Sequence, residues 1–212
     1  MLFREGWDCM PSMNPRPNRS LTALLALATS LSMTAYGDPV EDRVKEIRSR
    51  YNEIESAKLK GRKVEFEGES EPITASCTTY TEGGEVVKVH LSWGGDHFAS
   101  DEYFYYADGQ LLFVYASDGS WRFTGETLAN GESETIDEVV EHRVYVSDGT
   151  VIRHLEKSAR AKKADAIPAL LAKAETRPGD DAERAATLLE RGRGASSVKT
   201  AADLGRLLLL EP

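Results

Sequence analysis

Cysteine is scarce in this chain: Cys9 and Cys77 are the only two among 212 residues. That excludes a disulfide-rich scaffold and a four-cysteine zinc ribbon. Histidine is nearly as rare, with four residues, and none falls in an H-x-H or H-E-x-x-H pattern. An excess of positive charge is lacking too. Lys and Arg number 26 against 35 Asp and Glu, a net charge of −9. A nucleic-acid binder would carry a basic face, so nucleic acid is not an expected partner. No Gly-x-Ser-x-Gly elbow, phosphate-binding loop, dinucleotide fingerprint or calcium loop occurs. The length suits one domain with an appendage or two small domains, with enough core to fold without a metal or disulfide framework.

Long apolar runs are also missing, with one informative exception. Leu21 to Met33 is uncharged and largely apolar over 13 residues. A stable membrane-spanning helix needs about 20. Arg16 and Arg19 precede the run, and Ala35-Tyr36-Gly37 places small residues at −3 and −1 of a cleavage site before Asp38. A positive n-region, a short apolar stretch and a small-x-small site make a secretory signal peptide. A core helix would be amphipathic rather than apolar all round. Residues 1–12 precede Met13 and read as an upstream extension, so the start is Met1 or Met13. No cysteine stands at the cleavage site, which excludes the bacterial lipoprotein pattern. The mature chain is expected from about Asp38, with 23 Lys and Arg against 33 Asp and Glu and with Cys77 as its one cysteine. The expected location is extracytoplasmic, periplasmic or secreted, with no transmembrane segment after cleavage.

The remainder reads as two regions, 38–156 and 157–212. Val40, Val44, Ile47, Tyr51 and Ile54 fall on one helical stripe over about residues 38–60. Asp38-Pro39 supplies a cap and a first-turn proline, and Gly61 a stop. Residues 63–156 are rich in β-formers. Three segments carry a β-prone run, a two-residue turn and a second run: about Gly83-Gly84, Asp108-Gly109 and Asp148-Gly149. These are type I′ hairpin signals, because both central residues need positive φ.

A regular two-residue hairpin pairs Tyr80 with Val87, Tyr105 with Leu112 and Tyr145 with Ile152. One pair outward come Thr78/Val89, Tyr103/Val114 and Arg143/His154. This face is expected to lie under the N-terminal helix. Phe104 and Phe113 are expected on the opposite face, and a one-residue slip would exchange the two. Further strands are expected at 64–66 and 121–123, with a polar loop from Gly125 to Glu134. Residues 157–212 read as short helices broken at Thr176–Gly179 and Arg191–Gly194. The expected fold class is α+β: an N-terminal helix on an antiparallel meander of about six or seven strands, followed by short C-terminal helices.

On Arg43–Ile54, Gly95-Asp96-His97, Glu102-Tyr103-Phe104-Tyr105-Tyr106 with Asp108-Gly109 and Leu111, Gly119-Ser120-Trp121 and Ile152–Lys157, the chain resembles a family of uncharacterised secreted bacterial proteins. The likeness covers about residues 40–157. The Tyr-x-x-Asp-Gly-x-Leu hairpin unit is also distantly similar to MORN-variant repeats. The resemblance implies an exported α+β domain and no catalytic residue.

Four constellations bear on chemistry. His97 lies among Asp96, Asp101 and Glu102, in a segment that reads as a solvated hairpin connection. Cys77 is expected opposite His90, a thiol beside an imidazole and the beginning of an activated nucleophile, although a free cysteine also serves as a small buried hydrophobe. His154 reads as a satisfied core histidine and His142 as a solvent-exposed one beside Glu141. Finally Trp93, Phe104, Tyr106, Phe113, Tyr115 and Trp121 cluster in or beside the central hairpin. They form a binding surface for a protein or glycan if the C-terminal helices leave them open, and a second core layer if not. The expected function is a non-catalytic exported binding module with Phe104, Tyr106, Phe113, Tyr115 and Trp121 as its candidate contacts. The alternative is a small secreted hydrolase using Cys77/His90 or the His97 cluster. No cofactor and no metal site are expected.

Overall fold

The computed structural model describes residues 38–68 and 72–210. The expected signal peptide, the choice between Met1 and Met13, Trp7 and Cys9 lie outside them. From Asp38 the chain forms one compact unit. Its elements are helix α1 (Pro39–Ser56), strands β1 (Lys60–Glu67), β2 (Thr74–Glu82), β3 (Glu85–Gly94), β4 (Phe98–Ala107), β5 (Gln110–Thr127), β6 (Ser133–Ser147) and β7 (Thr150–Ala161), helix α2 (Ile167–Lys173), strand β8 (Arg177–Pro178), and helices α3 (Ala182–Ala195) and α4 (Ala201–Leu208). All eight strands make one antiparallel meander in chain order. The α+β class and the meander are therefore as expected, with eight strands rather than six or seven. The eighth is the two-residue β8, which no hydrophobic pattern announces. Among the described residues no helix is long and apolar enough to cross a membrane.

Helix α1 begins where the sequence places it. The Asp38 carboxylate accepts a hydrogen bond from the Val40 amide at 2.9 Å, with Pro39 in the first turn. Its stripe buries Val44, Ile47 and Ile54 against Val87, Tyr105, Leu112, Phe113 and Tyr145. The helix stops at Ser56, before Gly61, which lies in β1 instead. A Cβ at Gly61 would stand 3.0 Å from the Tyr80 ring and 3.0 Å from the Thr78 methyl. Gly61 thus serves close strand packing rather than helix termination. The cap residue is dispensable to packing, so Asp38→Ala is expected to cost about 1 kcal/mol of stability, measured by urea unfolding.

The three hairpin turns have the expected conformation, with positive φ at both central residues, as at Asp108 (50°) and Gly109 (72°). Each hairpin then departs from regular pairing at the same point. Val86, Leu111 and Val151 pair with Thr81, Tyr106 and Val146. Next, however, Tyr80 pairs with Lys88, Tyr105 with Phe113 and Tyr145 with Arg153. Val87, Leu112 and Ile152 are each the extra residue of a β-bulge. A bulge places two consecutive side chains on one face, so Leu112 and Phe113 both pack beneath α1. Beyond it every side chain changes face. Val89 and Val114, expected under α1, lie on the opposite face with Cys77, Phe104, Tyr106 and Val144.

That opposite face is covered by α3 and α4, through Ala185, Leu188, Ala195, Leu204 and Leu208. The expected break at Arg191–Gly194 is absent, and α3 continues through both glycines. At Gly192 a Cβ would meet Leu111 at 2.6 Å and Phe104 at 2.9 Å, and the Tyr106 hydroxyl donates to the Gly192 carbonyl at 2.7 Å. The glycine is a contact point between helix and sheet. The expected loop at 125–134 is also shorter. β5 reaches Thr127 and β6 starts at Ser133, with Thr127 paired to Ser133. Gly125, at φ 88°, lies in the irregular stretch between the Phe123–Thr135 and Thr127–Ser133 pairs. The expected boundary at 156/157 falls inside β7, which runs on to Ala161.

Candidate functional site

Apolar packing does not fill the whole face under α3. Toward the end of the sheet marked by the β3–β4 connection, the inward positions are Ser100 and Glu102 on β4, Asp118 on β5, His142 on β6, and His154 and Glu156 on β7. They are brought together by strand pairing: Glu102 opposite Ala116, His142 opposite Ala116 and also opposite Glu156. Residues two apart on a strand share a face, which joins Ser100 to Glu102, Ala116 to Asp118 and His154 to Glu156. From above, α3 adds Arg184 and Arg191, on the same stripe as Leu188.

The result is a continuous buried polar network. Glu102 has no exposed surface. Its Oε1 accepts from Arg184 Nη2 at 2.8 Å and from Arg191 Nη1, with longer contacts to Ser100 Oγ at 3.3 Å and Trp93 Nε1 at 3.4 Å. Glu102 Oε2 has no hydrogen-bond partner among the described residues. Arg184 also grips Asp118, with Nε 2.7 Å from Oδ2 and Nη2 2.8 Å from Oδ1. Ser100 Oγ donates to Asp118 Oδ1 at 2.6 Å. Burial works against the Arg184 charge, but Asp118 and Glu102 outweigh it and hold its pKa above the ordinary value.

An open cleft of about 320 Å³ borders this network, lined by Trp93, Phe98, Ser100, Asp118, Arg184 and Arg191 among others. Trp93 and Phe98 meet edge to face with centroids 5.1 Å apart, and the Arg191 guanidinium lies 5.1 Å from the Trp93 ring centre. Phe98 is 37% exposed, one of few large apolar side chains at the surface.

The second half of the network contains the histidines. His142 is buried rather than exposed, because the register turns it inward beneath the segment leading into α3. Its Nε2 is 3.5 Å from Asp118 Oδ2, and its Nδ1 is 3.1 Å from His154 Nε2 and 3.6 Å from Glu156 Oε1. His154 Nε2 is 3.5 Å from the same Glu156 oxygen. Burial pulls the His142 pKa below its ordinary value, opposed by the Asp118 charge. The Asp181 amide, at the α3 cap, donates to Glu156 Oε1 at 3.3 Å. Gly179 forms the roof: its amide donates to the His154 carbonyl at 3.0 Å, and a Cβ there would stand 2.4 Å from His154 Nδ1. Gly179→Ala must therefore displace the ring. It is expected to lower stability by about 1–3 kcal/mol, read by thermal unfolding against the native chain.

The other expected constellations come apart. Cys77 pairs with Leu91, not His90, which pairs with Thr78. The extra residue at Val87 shifts the pairing by one. Cys77 is fully buried among Val89, Leu91 and Phe104, and burial raises its thiol pKa. His90 lies flat on Tyr103, with centroids 4.2 Å apart, and contacts Asp101 Oδ1 at 2.9 Å. The His97 cluster also divides: His97 meets the Trp121 ring at a tilt of 48° with centroids 4.2 Å apart, Asp101 goes to His90 and Glu102 to the arginines. Cys77 is expected to react with a thiol-disulfide reagent at pH 8 only after unfolding, as a raised pKa and full burial both withhold the thiolate. A time course with and without urea measures it.

The five aromatic contacts expected on one surface are distributed over different surroundings. Phe104 and Tyr106 are buried under α3 and α4. Phe113 is buried under α1, with half-buried Tyr115 beside it. Trp121 is half-buried and donates from its indole to the Asp96 carbonyl at 2.8 Å. Sequence reasoning missed Phe98, Arg184 and Arg191. A signal for the arginines was present, since Arg184, Leu188 and Arg191 are spaced 4 and 3 apart on one helical stripe. No protein-family model, curated protein or solved structure matches the chain.

Proposed function

We propose that this chain is an exported, non-catalytic binding module whose ligand contacts the Trp93–Phe98–Arg191 cleft. The observation carrying the reading is the pairing of an open aromatic cleft with arginines fixed by the buried Glu102 and the partly exposed Asp118. Aromatic and arginine side chains dominate binding hot spots. Side chains already held in place lose little freedom when a ligand arrives. Arg191, clamped between Glu102 and the Trp93 ring, fits that description. The N-terminal segment and the family resemblance support export to an extracytoplasmic location, where an envelope protein, a secreted protein or a glycan is the partner class. The hydrolase alternative loses its support at Cys77/His90, whose members point to opposite faces of the sheet.

The test uses the labelled mature chain, from residue 38, and the producing cell's envelope fraction. Retention is expected to fall at least about tenfold for Trp93→Ser, the size of a modest hot-spot loss, in a variant whose folding is checked by circular dichroism because Trp93 also packs on the core. Protease treatment of the envelope abolishes retention if the ligand is a protein, and periodate oxidation abolishes it if the ligand is a glycan. Retention indifferent to Trp93 and Phe98 contradicts the reading.

A further inference from the structure

We propose that His142, His154 and Glu156 form a binding site for a divalent transition-metal ion of the zinc class. His142 Nδ1, His154 Nε2 and Glu156 Oε1 make a triangle with edges of 3.1, 3.5 and 3.6 Å. Bonds of about 2.0–2.1 Å at tetrahedral angles put donor atoms about 3.3–3.4 Å apart. Thus three protein donors already stand near the separations that one face of a zinc tetrahedron requires. Two nitrogens and a carboxylate oxygen are donors suited to zinc and its neighbours, whereas calcium and magnesium take oxygen shells.

The surroundings provide what such a site needs behind its ligands. A metal-bound histidine usually presents its other ring nitrogen to a carboxylate, which fixes the tautomer. The second nitrogen of His142 faces Asp118 Oδ2 at 3.5 Å, and Asp118 is itself held by Arg184 and Ser100. Both strands are paired through this region, so the trio sits on rigid backbone. The donors are extensively buried. On binding, the ion takes the place of the proton between the two facing ring nitrogens: a neutral ring carries that proton on its other nitrogen instead, which for His142 faces Asp118, and an imidazolium releases its extra proton to solvent. Three protein donors leave a fourth position for water or a ligand atom. This site adjoins the Trp93 cleft through Asp118, which lines the cleft and faces His142, but it does not depend on the function proposed for the cleft.

The experiment uses the full mature chain, stripped with a chelator and titrated with Zn²⁺ against a chromophoric zinc indicator. One equivalent is expected to bind with a micromolar or tighter dissociation constant and to raise the unfolding temperature. Glu156→Gln and His154→Ala are expected to weaken binding by more than about 100-fold, and Asp118→Asn by about 10- to 100-fold. His90→Asn, at a histidine remote from the trio, leaves the affinity unchanged. Circular dichroism identifies any variant that fails to fold. For that case the native chain loaded with Co²⁺ gives an independent reading, because a tetrahedral nitrogen–oxygen site produces intense visible absorption. Absence of stoichiometric Zn²⁺ binding overturns the proposal. So does binding that survives intact in folded Glu156→Gln and His154→Ala, or a Co²⁺ spectrum indistinguishable from the hydrated ion.

Discussion

Replacing Glu102 with alanine is expected to destabilise the fold by about 3–5 kcal/mol, the usual loss when one partner of a buried ion pair is removed. Glu102 is fully buried and receives both Arg184 and Arg191. Without it, Arg184 retains Asp118, but Arg191 keeps only the Trp93 ring. For an m-value of about 2 kcal/mol/M, the urea midpoint falls by roughly 2 M. The triple variant Glu102→Leu, Arg184→Met, Arg191→Leu should behave differently, because the one charge it leaves behind, Asp118, is partly exposed and keeps Ser100 and His142 beside it. Replacing a buried ionic group by apolar side chains of similar volume is often neutral or stabilising. The account therefore expects a stable triple variant that has lost cleft binding. A single Glu102→Ala variant within about 1 kcal/mol of the native chain would show that the arginines find other partners.

Gly192→Val is expected to produce the other large effect. The new Cβ would approach Leu111 to 2.6 Å and Phe104 to 2.9 Å. Leu111 is half-buried and can give way. Phe104 is fully enclosed and cannot. Overpacking costs about 1–3 kcal/mol, and the displaced helix also strains the bond from Tyr106 to the Gly192 carbonyl. Removing glycine from a helix interior returns up to about 1 kcal/mol for alanine, and less for a β-branched residue. Gly192→Val should thus lose about 3 kcal/mol and Gly192→Ala clearly less, measured as paired urea transitions. A valine variant as stable as the native chain would mean that α3 does not press on Phe104.

These contacts also explain which parts of the molecule the sequence makes legible. Helix α1 is readable because its stripe and its cap are local. The hairpin turns are readable because Asp-Gly and Gly-Gly restrict φ at two adjacent positions. The bulges at Val87, Leu112 and Ile152 are not readable from turn chemistry alone. An apolar residue fits the extra position as well as the paired one, and the difference lies in how α1 covers both. One unread residue was enough to move each later side chain to the other face. It hid the pairing of His142 with Glu156 and so the histidine trio, and set Cys77 against His90.

The glycines of α3 misled for a related reason. Gly192 and Gly194 resemble a helix end, but tertiary packing overrides that local preference. The partner of Gly192 is Phe104, far away in the chain. Phe98 carried no signal either, because a single apolar residue at the start of β4 reads the same whether it is buried or at the rim of a cleft. In contrast, the arginines of α3 were visible as charges on an apolar stripe. Their counterpart, Glu102, stood in plain sight as a carboxylate two residues from Phe104 and on the same face of β4.

The most direct test of the binding cleft is site-specific photo-cross-linking in the producing cell. A photoreactive phenylalanine analogue is placed at Phe98, on the cleft rim, and in a second chain at Leu209, which is 88% exposed just past the end of α4. The account predicts one discrete cross-linked species from position 98, none from position 209, and loss of the first when Trp93→Ser is added. Equal products from both positions, or a product from 98 that survives Trp93→Ser in a folded chain, would contradict it.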